Sequence, residues 1–362
     1  MDRGRDGSEG GGGDGPHAQP PTTTTAGVVE LDDGNSSPKR PSWPKRLTLV
    51  PLDVHQVPVH PELEGHQKNS STVDDFLRKL FVEADAEIDR PRKSIGRFKD
   101  EVDGGDGKKY AVEVLKWKSE YEGGRGTWFG RSSEHEEGKP AGFEELRKCL
   151  MKGHERNEAE YTPAIYDVNT VLEWGLEGQE VAWKVDGKDG VREGLMRDIE
   201  MRITQMHHSM PGGILNDRVF TVLLISFVNT NPSHSSLSES IDVQIPIDLY
   251  SFPPVVISRS HINRDLSTKK LSYRNSRSDA SPEQKAKSKA GKGIVEGKYV
   301  SVERIQQVKG AADTKDGVVT KWDMKTASDA GGNLPMAVQK LGVPGAIAKD
   351  VPLALGFVVK RR

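Results

Sequence analysis

The chain of 362 residues contains a single cysteine, Cys149. That excludes an internal disulfide framework and any zinc site built on paired thiolates, and it suits a reducing compartment. Net charge is nearly absent too, with 52 basic side chains against 54 acidic ones. No global field draws the chain to nucleic acid or to an anionic membrane, so either contact would need a local basic patch. Long apolar runs are also missing. The strongest, Val351 to Val359, falls well short of the roughly 20 residues of a spanning helix, and Lys349 and Asp350 precede it. The sequence lacks a Gly-x-Ser-x-Gly elbow, a His-Glu-x-x-His pair and a Cys-x-x-Cys, which removes the common hydrolase and zinc signatures. No apolar signal core opens the chain, and Asp2, Asp6 and Glu9 argue against a mitochondrial presequence. These absences predict a soluble, cytoplasmic monomer with no cofactor, no metal ion and no nucleic-acid partner.

What is present is organised unevenly. Residues 1–45 hold nine glycines and six prolines but seven hydrophobic residues, too few to offset the entropy of ordering a backbone, and read as a disordered tail. Gly10 to Gly13 has no preceding strand and no following Gly-Lys-Ser/Thr, so it reads as a linker and not as a phosphate loop. From 46 to 107 an N-terminal region combines an extended strap, its prolines at 44, 51, 58 and 61, with a helix. Val73, Phe76, Leu77, Leu80, Phe81, Ala84 and Ile88 recur at helical spacing behind Ser71 or Thr72 as N-cap. The main domain then runs from 108 to 362. A stretch at 274–293, with six basic and two acidic residues, reads either as a flexible, solvated insertion or as a patch for an anionic partner.

In the main domain the period is two. Ile241, Val243, Ile245, Ile247 and Leu249 alternate with polar residues, which predicts a strand with one buried face. Ile199, Met201 and Ile203 alternate likewise, and Val219 to Val228 reads as a central strand covered on both sides. Further strands are expected at 110–117, 165–174, 181–185, 299–305 and 318–326. Strands separated by turns and not by helices point to an α+β fold with a curved antiparallel sheet. An amphipathic helix is expected over 141–160, built on Phe143, Leu146, Leu150 and Met151. A long, kinked C-terminal helix should start at Asn333-Leu334-Pro335 and turn Leu334, Val338, Leu341, Ile347, Val351, Leu355 and Val358 inward. A curved sheet wrapped on such a helix diverges from it at the ends, and the space between suits an apolar guest.

Trp322-Asp-Met-Lys-Thr-Ala-Ser-Asp-Ala-Gly-Gly-Asn-Leu-Pro335 resembles the closing strand, turn and helix start of START domains, within the START and Bet v 1-like helix-grip superfamily. With the Gly297 to Ile305 strand, the Trp128 to His135 segment and the Phe143 to Tyr161 helix, the chain from about Val112 to Phe357 is similar to a fungal START-like family of unknown function of the DUF3074 type. The resemblance implies a helix-grip fold around a hydrophobic tunnel, with no assigned ligand.

The candidate site follows from charged residues on strands whose neighbours are apolar. Arg197 shares the face of Ile199 and Met201, Arg304 that of Val300 and Val302, and Glu303 that of Tyr299 and Ile305. A charge facing a tunnel must be paired or must meet a polar ligand head. On the functional reading Arg197, Glu303 or Arg304 contacts the head, and Met201, Ile203, Trp322, Leu334, Val338 and Leu341 line the tail site. On the alternative reading each is an ion pair setting strand register, or turns to solvent at a bulge. His154 and Glu158, one turn apart, read as a surface pair, His207-His208 as solvent-facing, and Cys149 as a buried structural thiol. The expected function is non-enzymatic binding, transfer or sensing of a lipid or other hydrophobic small molecule, with transient membrane contact and Gly331-Gly332 as hinge. The alternatives are a START-like cyclase or hydrolase, and a regulatory protein-interaction module.

Overall fold

The structure, a computed structural model, describes residues 45–120, 127–187, 190–210, 215–230, 236–310, 317–332 and 336–362, with the side chains of 186, 187, 190, 236 and 336–340 left aside. The tail expected at 1–45 lies outside the described residues up to position 44, as do Asn333 and Leu334.

One large sheet organises the chain. It contains β1 (Lys93–Asp103), β2 (Lys109–Glu120), β3 (Thr127–Glu136), β4 (Ile165–Trp174), β5 (Val181–Gly187), β6 (Gly190–His208), β7 (Asp217–Asn229) and β8 (Ser236–Pro246), the short β9 (Ile262–Arg264) and β10 (Leu271–Tyr273), then β11 (Gly293–Lys309) and β12 (Val318–Asp329). The order is β1-β2-β3-β12-β11-β8-β7-β6-β4, with β5 paired to β6 and the β9–β10 hairpin attached to β11. Pairing is antiparallel apart from one short parallel stretch of β11 on β7 and a single bridge from Leu52 to Ile247. β3 pairs with β12, and β11 with β8, although these partners are far apart in sequence, so the sheet is closed by non-local pairs.

The sheet is covered on both faces. On the outer face lies α1 (Val73–Ile88), capped by Thr72, whose Oγ1 accepts from the Asp75 N–H at 3.2 Å, with Asp74 and Asp75 facing the positive end of the helix dipole. Phe76, Leu77, Leu80, Phe81 and Ala84 are fully buried against Ile203, Leu223, Ile225, Ile241, Val243, Val300 and Val302. The strap adds Leu47, Leu52, Val54, Val57 and Leu63 to this core, held by Leu52 N–H donating to the Pro246 carbonyl at 2.8 Å.

On the inner face lie α2 (Phe143–Leu150), α3 (His154–Tyr161) and α6 (Met336–Lys360). By length and composition Leu341–Lys360 could cross a membrane. It packs instead against β1, β2 and β3, with Ala348, Val351, Ala354 and Leu355 fully buried. The expected single helix over 141–160 is two, because Gly153 takes φ +62° and breaks it ahead of His154. The insertion at 274–293 is ordered. It contains a connection over 274–281 and α5 (Pro282–Ala290), started by a Ser281–Gln284 capping box with Pro282 in the first turn, and closed by Gly291 at φ +57°. Charge composition hid a helix whose stop and start signals were all in place.

The β8 strand departs from the one-faced pattern as well. Ile241, Val243 and Ile245 face α1, and Asp242 and Gln244 on the other side are equally buried. Both faces of this strand are covered.

Phe81 sits where the outer core is tightest, its ring 4.5 Å from Trp183 and 6.1 Å from Phe227. Phe81→Ala should therefore destabilise the protein by about 3–5 kcal/mol. Urea unfolding checks this, and a loss below about 1 kcal/mol would show that α1 is not part of the cooperative core.

Candidate functional site

Strand register places a polar row across the middle of the inner face. Glu200 pairs with Ser226, Ser226 with Asp242, Asp242 with Glu303, Glu303 with Met324, and Met324 with Arg131. Period-two alternation puts all of them on the side gripped by α2, α3 and α6. Next to it stand Gln244 and Ser301, also directly paired.

Two buried carboxylates thus face each other on adjacent strands. Glu303 Oε1 accepts from Arg131 Nη2 at 2.6 Å and from the Trp322 indole N–H at 2.6 Å, and the Arg131 guanidinium lies 3.9 Å over the Trp322 ring. This knot joins β3, β11 and β12. Asp242 has no such donors: neither of its oxygens has a hydrogen-bond partner among the described residues, and His154 Nδ1 approaches only to 3.6 Å. Burial pushes the Asp242 carboxyl up to about 7, partly opposed by His154 and reinforced by Glu303 and Glu158. His154 is driven the other way. Burial alone would strip its proton, but Asp242 and Glu158, the latter 3.4 Å from Nε2, outweigh it and hold the imidazole protonated well above its ordinary range. The ring nitrogens are already engaged by the Leu150 carbonyl and Glu158, so His154 acts as a cation in an ion-pair cluster although its ligand atoms, with those of Asp242 and Glu303, lie within 4.8 Å of one another.

Around the row stand side chains that are desolvated yet accessible. Burial raises the Tyr161 and Tyr299 hydroxyls well above their ordinary value, lowers His208, and pushes Asp350 on α6 up to about 7. All four are nevertheless only half-buried, and the Glu158 side chain beside them keeps 23% of its surface. These groups stand on the inner face beside the polar row with part of their surface uncovered. Met206, Val222 and Leu224 form an apolar cluster on the same face with Tyr299 packed against it, Tyr299 reaches Phe220 at 5.2 Å, and Tyr161 meets Phe357 of α6 at 5.5 Å. A separate cleft of about 280 Å³ opens beside the strap, lined by Pro51, Thr221, Pro246, Asp248, Glu296 and Lys298, among others.

The model of a family described as "Protein of unknown function (DUF3074)" matches residues 128–358. The chain belongs to this family. The DUF3074 segment includes Arg131, His154, Asp242, Glu303, Trp322 and Asp350, whereas α1, β1 and β2 precede it. Among solved structures the chain is similar to human STARD10, with 12% identity, a TM-score of 0.43 and coverage of 78% of this chain and 79% of that one. It is similar also to human StAR-related lipid transfer protein 5, with 12% identity, a TM-score of 0.42 and coverage of 80% and 97% respectively. No curated protein matches the DUF3074 chain.

The structure separates the residues that the sequence groups together. Glu303 and Trp322 are in the inner-face knot. Met201 and Ile203 lie on the opposite face, in the outer core beneath α1. Arg304 also points outward, where both guanidinium Nη atoms bond Asp89 at 3.2 and 2.6 Å and staple β11 to the end of α1. Arg197 does not share the face of Met201: a bulge with Asp198 at φ +49° shifts the register between Arg197 and Glu200, and Arg197 stands half in solvent, 2.8 Å from Glu180. Leu341 is 83% exposed, away from the inner face. Leu334 lies outside the described residues, and Val338 is placed only as part of the α6 backbone. His154 is buried and Glu158 half-buried, so the pair is not the surface one expected. Cys149 is buried against α6, its thiol pushed up to about 12 by burial. Arg131, Asp242, Gln244 and Asp350 escaped the sequence reading. The available signal was polar residues alternating with β-branched ones on a strand between two other buried strands.

The folded Asp242 carboxyl keeps its proton where the unfolded one, with an ordinary value of 3.8, has lost it. Stability should therefore fall as pH rises between about 4 and 7, by at most about 4 kcal/mol for this group alone. His154 acts in the same direction, its contribution being lost as pH rises through its raised value. Asp242→Asn should be more stable than the parent at about pH 8 and flatten the dependence between about pH 5 and 8, read by urea unfolding. An unchanged slope would remove Asp242 as its source.

Proposed function

We propose that this protein binds a lipid or other hydrophobic small molecule, without converting it, in a cavity between the inner sheet face and α6. The observation that carries this reading is the set of inner-face groups, Glu158, Tyr161, His208, Tyr299 and Asp350, that are desolvated like an interior and still present free surface. A core serving stability alone would close on them. The floor also holds unused hydrogen-bonding capacity: both Asp242 oxygens, Ser301 Oγ, and Nε and Nη1 of Arg131 have no hydrogen-bond partner among the described residues. Native interiors seldom leave such groups unmade.

The chemistry of that floor selects the guest. Arg131 and His154 are balanced by Glu303 and Glu158, and Asp242 is half-protonated near neutrality. A net ionic head would upset this balance, whereas a hydroxyl both donates and accepts. The fitting class is a neutral hydroxyl-bearing amphiphile, its apolar body on Met206, Val222, Leu224 and Phe357, each buried methylene contributing roughly 0.8 kcal/mol. Entry requires α6 or its leading turn to lift, with brief contact at a membrane surface. Gly331 and Gly332, at φ +65° and +63° just ahead of α6, supply the backbone freedom for it.

A second reading has one observation in its favour. A carboxyl near neutrality beside a protonated imidazole is a general acid–base pair, so a cyclase or hydrolase acting on a hydrophobic substrate would find its catalysts in Asp242 and His154. Turnover of an aromatic polyketide or ester panel, abolished in Asp242→Asn, would select it over binding.

For the binding reading, native mass spectrometry of the full chain purified from cells should show a co-purifying apolar mass, and a fluorescent sterol should bind in the micromolar range or tighter. Asp242→Leu should weaken a hydroxyl-bearing probe at least about tenfold, the worth of one buried hydrogen bond, and leave its hydrocarbon analogue unchanged. Absence of both the co-purifying mass and probe uptake would sink the assignment.

A further inference from the structure

A second polar cluster lies on the outer face of the sheet, beyond the α1 core, where the β9–β10 hairpin and α5 close over β4 and β6. Asp167 and His207 are direct cross-strand partners in the β4–β6 pair. His261, just before β9, completes the group. The three are 5%, 0% and 8% exposed, and one ligand atom from each lies within 4.8 Å of the others. The sequence reading placed His207-His208 in solvent, yet the structure buries the His207 ring against the rings of Tyr273 at 5.0 Å and Tyr166 at 5.9 Å, and neither of its nitrogens has a hydrogen-bond partner among the described residues. A fully buried imidazole with two orphaned nitrogens is an anomaly that a packing role leaves unexplained.

We propose that Asp167, His207 and His261 form a binding site for a divalent transition-metal ion of the zinc class. Two imidazoles and a carboxylate match the donor preference of such ions, and a water or the Tyr273 hydroxyl completes the set. The scaffold around the ligands is prepared. Gln205, two residues before His207, accepts from the His261 backbone N–H at 3.0 Å and from Ser260 Oγ at 3.1 Å, which fixes the loop that carries His261. Asp167 is held from three sides: Oδ2 accepts from Tyr273 at 2.8 Å and from the His261 Nδ1 position at 2.6 Å, and Oδ1 accepts from Gln284 of α5 at 2.9 Å. The bonds made by Gln205 and Gln284 lie outside the ligand set, and outer hydrogen bonds of this kind orient metal ligands. Uptake draws the three donors to the roughly 3.4 Å separation that metal bonds of about 2.1 Å impose in a tetrahedron. Lys287 lies over the Tyr166 ring and is paired with Asp217 at 2.9 Å, and Arg277 is paired with Asp279 at 2.7 Å, so both charges are already compensated. The ion would clamp the segment from α4 (Pro254–Ile257) to α5 onto β4 and β6, which makes the order of that basic segment metal-dependent.

The site is separate from the inner-face cavity, and its test does not rely on any ligand there. Full-length protein stripped with a chelator and dialysed should take up one equivalent of Zn²⁺ in competition with a chromophoric chelator, with no comparable uptake of Mg²⁺ or Ca²⁺, and its melting temperature should rise on loading. His207→Phe keeps the aromatic packing and removes a ligand. It should cost at least about 100-fold in zinc affinity while leaving the metal-free protein no less stable than the parent. His261→Gln, which keeps a polar side chain in the loop, should lose zinc as well, and it decides the matter if His207→Phe does not fold. Asp242→Asn should bind zinc as the parent does. Lack of stoichiometric zinc uptake, or uptake that survives both histidine substitutions, would overturn the proposal; the second outcome with loss in Asp242→Asn would move the ion to the His154 cluster.

Discussion

A sheet covered on both faces must hide two sets of side chains, and in this protein the two sets are chemically unlike. The outer set is Ile203, Leu223, Ile225, Ile241, Val243, Val300 and Val302, which close on α1 without remainder. The inner set is Arg202, Ser226, Asp242, Gln244, Ser301 and Glu303, all nearly inaccessible. Hydrophobic burial drives the first interface. Across the second, apolar contacts of α2 and α6 are interrupted by buried charges that are paired in place: Arg131 and Trp322 on Glu303, Arg202 on Glu155 at 3.1 Å, and His154 between Asp242 and Glu158. Taking one partner from such a pair strands the other in low dielectric, which is far more damaging than the pair is stabilising. The polar inner face therefore depends on the apolar outer one, which supplies the folding free energy to carry it.

The same logic fixes α1 to the middle of the sheet. Arg304 on Asp89, Lys325 on Glu87 and Arg92 on Asp323 at 3.1 Å tie the end of α1 and the turn after it to β11 and β12. These ion pairs sit just where the α1 core gives out, and they set the register between helix and strands where apolar contacts no longer do. Trp117 and Trp128 stack with Arg92 and Lys325, so the charges are shielded by aromatic faces as well as by each other.

Period and capping were legible in the sequence to within a few residues. The α1 helix spans Val73–Ile88 behind Thr72, and the strand expected at 165–174 is observed at Ile165–Trp174. Facing was less legible, because alternation tells which residues lie together and not which side they take. Met201, Ile203 and Arg304 share one face as expected, but that face belongs to α1 and not to the terminal helix. Nothing in a strand's own pattern could choose between two coverings when both are buried. Arg197 failed for a different reason: one residue at positive φ, Asp198, inverts the parity of everything before it. Of the site, Glu303 and Trp322 were reached because a charge among apolar neighbours is conspicuous. Asp242 and Gln244 were passed over because polar residues alternating with apolar ones look like a solvated face, and only the strand order, with β11 and β7 on either side of β8, takes that solvent away. Arg131 required pairing across 172 positions to meet Glu303.

An inner face with unmade hydrogen bonds is a standing disadvantage to the empty protein. Asp242, Ser301 and Arg131 each keep polar atoms without partners, and each such group costs about 1–3 kcal/mol against a satisfied one. Replacing them by apolar residues of like volume would remove that cost. On the binding proposed above, a neutral head group entering the floor would satisfy them. Whatever binds the folded chain and not the unfolded one then stabilises it in proportion to the logarithm of its concentration. On that proposal stability and occupancy would be one property: the polar row that leaves hydrogen bonds unmade would distinguish an amphiphile from a plain hydrocarbon, and replacing it by apolar side chains would strengthen the fold while removing that selectivity.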